Sequence, residues 1–329
     1  MITGSSLTLV APPALAFLVT LALVRWLIKG NIAVLDHPNA RSLHATAIPR
    51  TGGLGLLAGI LASWALLPLS PPLSIWLPVI VLASVSFADD IYDLPVWVRL
   101  LMHSVFAAWF SVALLTDTNG WLVAAFAALA VAWMLNLYNF MDGSDGMAGG
   151  MTLIGFGCYG VAALLAGDEA FAAANFCIAA SAAAFLLFNF HPARIFLGDS
   201  GSVPLGFLAA AMGLTGWMSG DWPLWLPLLV FSPFIADASV TLLKRGWRGE
   251  KVWQAHREHY YQRMVQHGLG HRNTALLAYI LMLASSASAM WATRQDPSIQ
   301  FCVGIAWCGV YLIIMSASDH YWERRSGAS

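Results

Sequence analysis

The chain has 329 residues, of which 59% are hydrophobic and only 10% charged, and its mean hydropathy is +0.70. So few charges cannot cover a water-facing surface, and a formal net charge of -1, from 16 basic and 17 acidic residues, excludes nucleic-acid binding by bulk charge. Fifteen Trp and 28 Gly suit a polytopic helical membrane protein, in which Trp collects at the interfaces and Gly lets helices approach closely.

The first basic residue is Arg25, behind the first apolar stretch, so the N-terminus has no positive segment of the kind that precedes a cleaved signal. It is expected to insert with its N-terminus outside. Stretches of spanning or near-spanning length follow at about 7–28, 52–69, 73–90, 97–116, 121–140, 147–166, 169–190, 202–219, 223–243, 274–293 and 299–317, predicting an all-α fold of about eleven transmembrane helices. With the N-terminus outside, every Lys and Arg except Arg294 falls in or beside a cytoplasmic segment, and the C-terminus is cytoplasmic. The outer connections, such as Asp117-Thr118-Asn119-Gly120, read as plain turns. The inner loops, about 29–51, 89–97, 139–147, 190–202 and 244–273, collect the unusual residues, so function should face the cytoplasm. Cys158, Cys177, Cys302 and Cys308 all lie in apolar runs without CxxC spacing and are expected to be buried free thiols. There is no repeat, low-complexity tract or linker, and residues 1–329 read as a single integral domain.

The first inner loop, from Asp36 to Gly53, is basic with rigid turns. It would serve as an interfacial anchor or receive a lipid phosphate on Arg41, His44 and Arg50. Asp89 and Asp90, followed by Asp93, end the third apolar stretch in SFADDIYDLP. Adjacent carboxylates at a membrane boundary repel each other and are costly to desolvate, which points to a divalent ion or a phosphate held by one. Arg99 would return to the same site or anchor the next helix at the boundary. In NLYNFMDGSDG, the polar residues Asn136, Asn139, Asp142 and Asp145 recur every three positions, a spacing that lines them along one slowly drifting helix face. In FLGDSGS, Asp199 on a Gly-rich turn suits an oxygen-preferring metal, and the N–H groups of the helix start suit phosphate. The longest inner loop, 244–272, is dense in Arg, His and aromatic residues. It would lie on the membrane surface, or its cluster of His256, Arg257, His259 and Arg263 would face the carboxylates across an anionic substrate.

Taken together, the ADD pair with Arg99, NLYNFMDGSDG, FLGDSGS, HREHYYQR and DHPNARSLHATAIPRTGG resemble the polyprenyl-phosphate N-acetylhexosamine-1-phosphate transferases, the WecA/MraY-like superfamily of glycosyltransferase family 4. HREHYYQR departs from the His-rich segments of the WecA and MraY branches and looks closer to WbpL-type enzymes that initiate O-antigen synthesis. The resemblance implies transfer of N-acetylhexosamine-1-phosphate from a UDP-N-acetylhexosamine to undecaprenyl phosphate, releasing UMP, with Mg2+ as the cofactor, for which Mn2+ could substitute. It implies a bacterial inner-membrane enzyme facing the cytoplasm and leaves room for a homodimer. By motif, Asn139 and Asp199 match the metal ligands, while Asp145 and Phe196 match the positions that hydrogen-bond and stack on uracil. Arg99 matches a diphosphate contact, and Asp89 and Asp90 match the pair beside the lipid phosphate. Asp142 completes the catalytic candidates, and His256, Arg257, His259 and Arg263 lie in the segment that touches diphosphate and sugar. Two rival readings are a secondary transporter, whose ionisable residues would sit near the bilayer midplane, and an intramembrane aspartyl protease, suggested by Tyr92-Asp93 and Gly198-Asp199.

Overall fold

A computed structural model describes residues 4–30, 34–36, 47–252, 254 and 256–326. Arg41 and His44 lie outside the described residues. The chain opens with α1 (Gly4–Lys29), a two-residue antiparallel ladder of β1 (Leu35–Asp36) with β2 (Ile48–Pro49), and α2 (Gly52–Trp64). It continues through α3 (Leu73–Tyr92), α4 (Val96–Phe140), α5 (Met147–Ala166), α6 (Glu169–Asn189) and α7 (Asp199–Ser219). The last part comprises α8 (Trp225–Val230), α9 (Ser232–Trp247), α10 (Tyr260–Met264) with a π-turn over Val265–Leu269, α11 (Gly270–Ala292) and α12 (Pro297–Ser326).

This is a polytopic all-α membrane architecture, apart from the tiny ladder. Among the described residues, eight helical stretches are long and apolar enough to cross a bilayer. The eleven expected segments are all helical, and three differences account for the smaller number. The α2 helix has only 13 residues, the 223–243 segment is divided into α8 and α9, and the 97–116 and 121–140 segments are the two arms of α4, taken as one stretch although the chain kinks between them at Gly120. The expected turn at 117–120 is narrowed to Gly120, and both arms run along α7, with Phe110 on Phe207 and with Met134 and Leu135 against Gly206. Helical geometry breaks at Gly120 alone, whose φ of 80° lies where only glycine is comfortable.

Helix ends follow local chemistry. Asp93 closes α3 in the left-handed region (φ 50°), its N–H bonded to the Asp89 carbonyl, and Leu94-Pro95 then prevents continuation before α4 starts. Asp168 caps α6 by accepting from the Phe171 N–H at 2.8 Å. In the bundle, α6 packs against α1, α5 and α2, while α7 packs against both α3 and α4. Small residues permit the closest crossing: a Cβ on Gly53 would lie 2.4 Å from Gly201 Cα, so the starts of α2 and α7 touch backbone to backbone.

Cys158 and Cys177 are buried thiols as expected, but Cys302 and Cys308 are exposed. They lie on α12, whose spanning window is only 6% buried, so its apolar side chains face outward from the bundle rather than into a core.

Candidate active site

Three helix ends meet where the carboxylates converge. Asp89 and Asp90, at the end of α3, are both buried. Asp89 Oδ1 accepts from the Leu94 N–H at 2.7 Å and Oδ2 from Arg99 at 2.9 Å. The same Arg99 nitrogen lies 3.8 Å from Asp199 Oδ2, so a single guanidinium from α4 bridges the end of α3 and the start of α7. Asp90 Oδ2 accepts from the Ser200 N–H at 3.4 Å. Asn139, at the end of α4, donates to Ser202 Oγ at 3.1 Å, which brings it beside Asp199. Asp142 follows in the connection to α5. Burial, and after it the Asp199 and Asp90 carboxylates, pushes its carboxyl well above the usual carboxylate range. Asn136, one turn earlier, bonds back to the Ala132 carbonyl at 2.7 Å.

Residues 49–53, where the first inner loop runs into α2, dock on this cluster. Phe196 N–H donates to the Pro49 carbonyl at 2.7 Å, and the N–H groups of Gly52 and Gly53 donate to the Phe196 and Leu197 carbonyls at 2.9 and 2.8 Å. This pairing carries Arg50 to Asp90. The Arg50 guanidinium donates to the Asp90 carbonyl, and its Nε lies 3.5 Å from Asp90 Oδ1. Gly198 makes the approach feasible, since a Cβ there would stand 2.2 Å from the Arg50 carbonyl oxygen, at a φ of 74°. Arg50, the lipid-phosphate candidate among the described residues, is thus placed at the carboxylates.

Asp145 is held from two further directions. Its Oδ2 lies 2.6 Å from His191 Nδ1 and accepts from the Ala193 N–H at 3.1 Å, while Oδ1 lies 3.6 Å from His271 Nδ1. The two imidazoles stack with centroids 5.6 Å apart and planes within 5°. The sequence signals a role for neither histidine: His191 stands alone in its segment, His271 closes a loop that holds three other histidines, and each reaches Asp145 only through the fold. Phe196, half-buried, lies three residues before Asp199 on the same turn.

The basic loop is anchored rather than draped on a surface. His259 is buried against Phe140, with ring centroids 6.0 Å apart and planes at 25°, and its Nδ1 lies 3.3 Å from Asp237 Oδ1 of α9. Tyr261 Oη donates to the Phe140 carbonyl at 2.9 Å, tying the loop to the residue after Asn139. Arg263 is buried and paired with Asp319 of α12 at 2.8 Å, its guanidinium 5.1 Å from the ring centroids of both Tyr260 and Trp322. Arg257 is exposed. His256 stacks near His259 at 4.7 Å, and burial, then the charges of His259 and Arg245, lowers its pKa to about 4, leaving it neutral at pH 7. The four candidates therefore separate: Arg257 points outward, His256 is partly covered, and His259 and Arg263 are committed to internal contacts.

Among the described residues, no three carboxylate, imidazole or thiolate groups already form a closed coordination set. The donor chemistry nevertheless suits Mg2+, which is commonly held by one or two carboxylates and completes its shell with water and substrate phosphate oxygens. Among the described residues, Arg50 and Arg99 are the cations that offset Asp89, Asp90, Asp142 and Asp199 in their shared electrostatic neighbourhood, so a further cation would relieve the surplus negative charge.

The profile of glycosyl transferase family 4 matches residues 72–216, the segment from α3 through most of α7. A probable undecaprenyl-phosphate N-acetylglucosaminyl 1-phosphate transferase of Bacillus subtilis (strain 168) is 29% identical over 278 residues, covering 79% of this chain and 77% of the relative. A phospho-N-acetylmuramoyl-pentapeptide-transferase of Moorella thermoacetica is 31% identical over 239 residues, covering 64% of this chain and 71% of the relative. The undecaprenyl-phosphate alpha-N-acetylglucosaminyl 1-phosphate transferase of Escherichia coli (strain K12) is 23% identical, covering 79% of this chain and 76% of the relative. The matched segment contains Asp89, Asp90, Arg99, Asn139, Asp142, Asp145, Phe196 and Asp199. The chain belongs to glycosyl transferase family 4, the WecA/MraY-like superfamily of membrane-embedded transferases.

Proposed function

We propose that the chain transfers N-acetylhexosamine-1-phosphate from a UDP-sugar to undecaprenyl phosphate, yielding undecaprenyl-diphospho-N-acetylhexosamine and UMP. The reaction would take place at the cytoplasmic face of the inner membrane, initiating O-antigen or a related envelope polysaccharide. The observation that carries this reading is the bridge from Asp89 through Arg99 to Asp199, which gathers phosphate-binding and metal-binding chemistry at three helix ends. The basic asymmetry of the loops supports an outer N-terminus and a cytoplasmic C-terminus.

A lipid phosphate oxygen attacks the phosphorus that bears the sugar. The bond from that phosphorus to the oxygen of UMP breaks, and the electron pair leaves on UMP. Both reactants are anions, so the site must first offset their repulsion. Mg2+, when bound, supplies charge neutralisation at the diphosphate. Asn139 and Asp199 would hold it, with Asp142 and Asp90 reinforcing its field. Arg50 and Arg99 present cations from two different elements, and such charge-assisted contacts favour phosphate oxygens. Asp89 has both oxygens engaged, one by the Leu94 N–H and the other by Arg99, so it serves to orient Arg99. An already ionised lipid phosphate needs no base. Phe196 supplies an aromatic face for uracil, and Asp145, fixed by His191 and Ala193, supplies the adjoining acceptor.

The rival readings fit less well. Asp93 is exposed at the end of α3, and the groups around Asp199 are Arg99, Asn139 and Asp89 rather than a facing Asp93. The carboxylates gather at helix ends, where a transporter would place them mid-span. The test is to incubate purified protein with undecaprenyl phosphate, Mg2+ and a panel of UDP-N-acetylhexosamines. UMP release that requires both the lipid and one of the donors is expected; no UMP from any donor would overturn the reading.

A further inference from the structure

We propose that Asp237 is a positioning residue that fixes where Arg257 meets the nucleotide-sugar, an inference that rests on the transferase reading above. Asp237 is 6% exposed on α9. Its Oδ1 accepts from the Tyr260 N–H at 2.9 Å and from Thr241 Oγ1 at 3.3 Å, and lies 3.3 Å from His259 Nδ1. Its Oδ2 accepts from the Tyr261 N–H at 3.0 Å. No Lys or Arg is paired with it among the described contacts, so backbone N–H groups, a hydroxyl and an imidazole stabilise this buried carboxylate.

The consequence lies upstream in the loop. With Nδ1 turned to Asp237, the His259 ring stacks between Phe140 and Tyr261, whose centroids are 6.0 and 5.9 Å away. Tyr261 in turn bonds to the Phe140 carbonyl beside the metal candidate Asn139. Arg263 is taken by Asp319, which leaves Arg257, two residues before His259, as the exposed arginine of residues 256–263. Its starting point is therefore set by Asp237 and, through Tyr261 and His259, by Phe140. A loop free to wander would lose that alignment, and a misplacement of about 1 Å already weakens a substrate contact.

Asp237→Asn keeps the volume but removes the charge and one acceptor. It is expected to raise KM for the UDP-sugar about 10-fold or more, with KM for undecaprenyl phosphate unchanged. Asp237→Glu should recover part of the loss. Because the proposed effect passes through Arg257, the double variant with Arg257→Ala should be no weaker than Arg257→Ala alone. Independent, multiplying losses, or a change confined to the lipid KM, would overturn the proposal. Should Asp237→Asn fail to fold, the same cycle run on Asp237→Glu decides it by the same criteria. Absence of UMP release by the unmutated protein would defeat the transferase reading instead. The positioning claim is then read from a spin label at Arg257→Cys, with Cys302 and Cys308 replaced by Ser. Asp237→Asn should raise the label's mobility, and unchanged mobility would contradict the claim.

Discussion

At the ends of α3, α4 and α7 the polar side chains are placed by packing, whereas the segment between α9 and α11 is placed by carboxylates that reach it from other helices. In the first region, Gly53 against Gly201 and the Phe196 and Leu197 carbonyls against α2 fix the backbone, and the charges follow. In the second, Asp237 and Asp319 hold His259, Tyr260, Tyr261 and Arg263. A packed frame tolerates little variation and suits the chemistry that every donor shares. A loop pinned at a few points can change its exposed residues while keeping its anchors, which suits recognition of the variable sugar.

The comparison breaks first at Asp199. Asp199→Asn removes the charge of a proposed metal ligand but almost no volume, so kcat should fall on the order of 100-fold or more, with the melting temperature nearly unchanged. Near-normal turnover with ordinary Mg2+ dependence would remove Asp199 from the metal role. Next is Phe196→Ala, where loss of stacking on uracil should cost about 1–3 kcal/mol, read as a higher KM for the UDP-sugar. Asp145→Ala should affect the same substrate, and an effect of both variants on the lipid acceptor alone would displace uracil from this side of the site.

Replacing residues 256–263 by the corresponding segment of an N-acetylglucosamine-specific relative should alter the ratio of kcat/KM between donors, because contacts matched to hydroxyls discriminate more sharply than apolar ones. Mg2+ dependence and inhibition by UMP should stay as they were. Fixed donor ratios would move sugar choice elsewhere. The smallest effect is expected at His256. Its pKa of about 4 makes the ring neutral at pH 7, so His256→Gln removes no charge and should change donor KM by less than about threefold. A flat ratio of variant to parent KM from pH 6 to 8 would agree, and a ratio that rises as the pH falls through 6.5 would show that the ring becomes charged in this range.

Much of the first region was legible in the sequence. Hydropathy places SFADDIYDLP, NLYNFMDGSDG and FLGDSGS at the boundaries of apolar stretches, and a helix end leaves polar side chains few places to go. Less of the second was legible. Arg263 and Asp319 are 56 positions apart, and nothing local in either segment signals their pairing. Asp237 sits singly within FSPFIADASV, where an isolated acid reads as an interruption of an apolar run, not as the acceptor for a loop more than twenty residues later. The shortness of the turn between the two arms of α4 was hidden for a different reason. Asp117, Thr118, Asn119 and Gly120 are ordinary turn residues, but the apolar sequence on either side carries the helix through the first three and leaves the break to glycine.

The account stands most directly on which bond of the donor breaks. With a UDP-N-acetylhexosamine labelled at the phosphorus next to the sugar, the protein and undecaprenyl phosphate should move the label into the lipid fraction and release unlabelled UMP in equal amount. Label remaining in UDP while the sugar alone reaches the lipid would mean that the glycosidic bond breaks instead, and would contradict transfer of a sugar-1-phosphate.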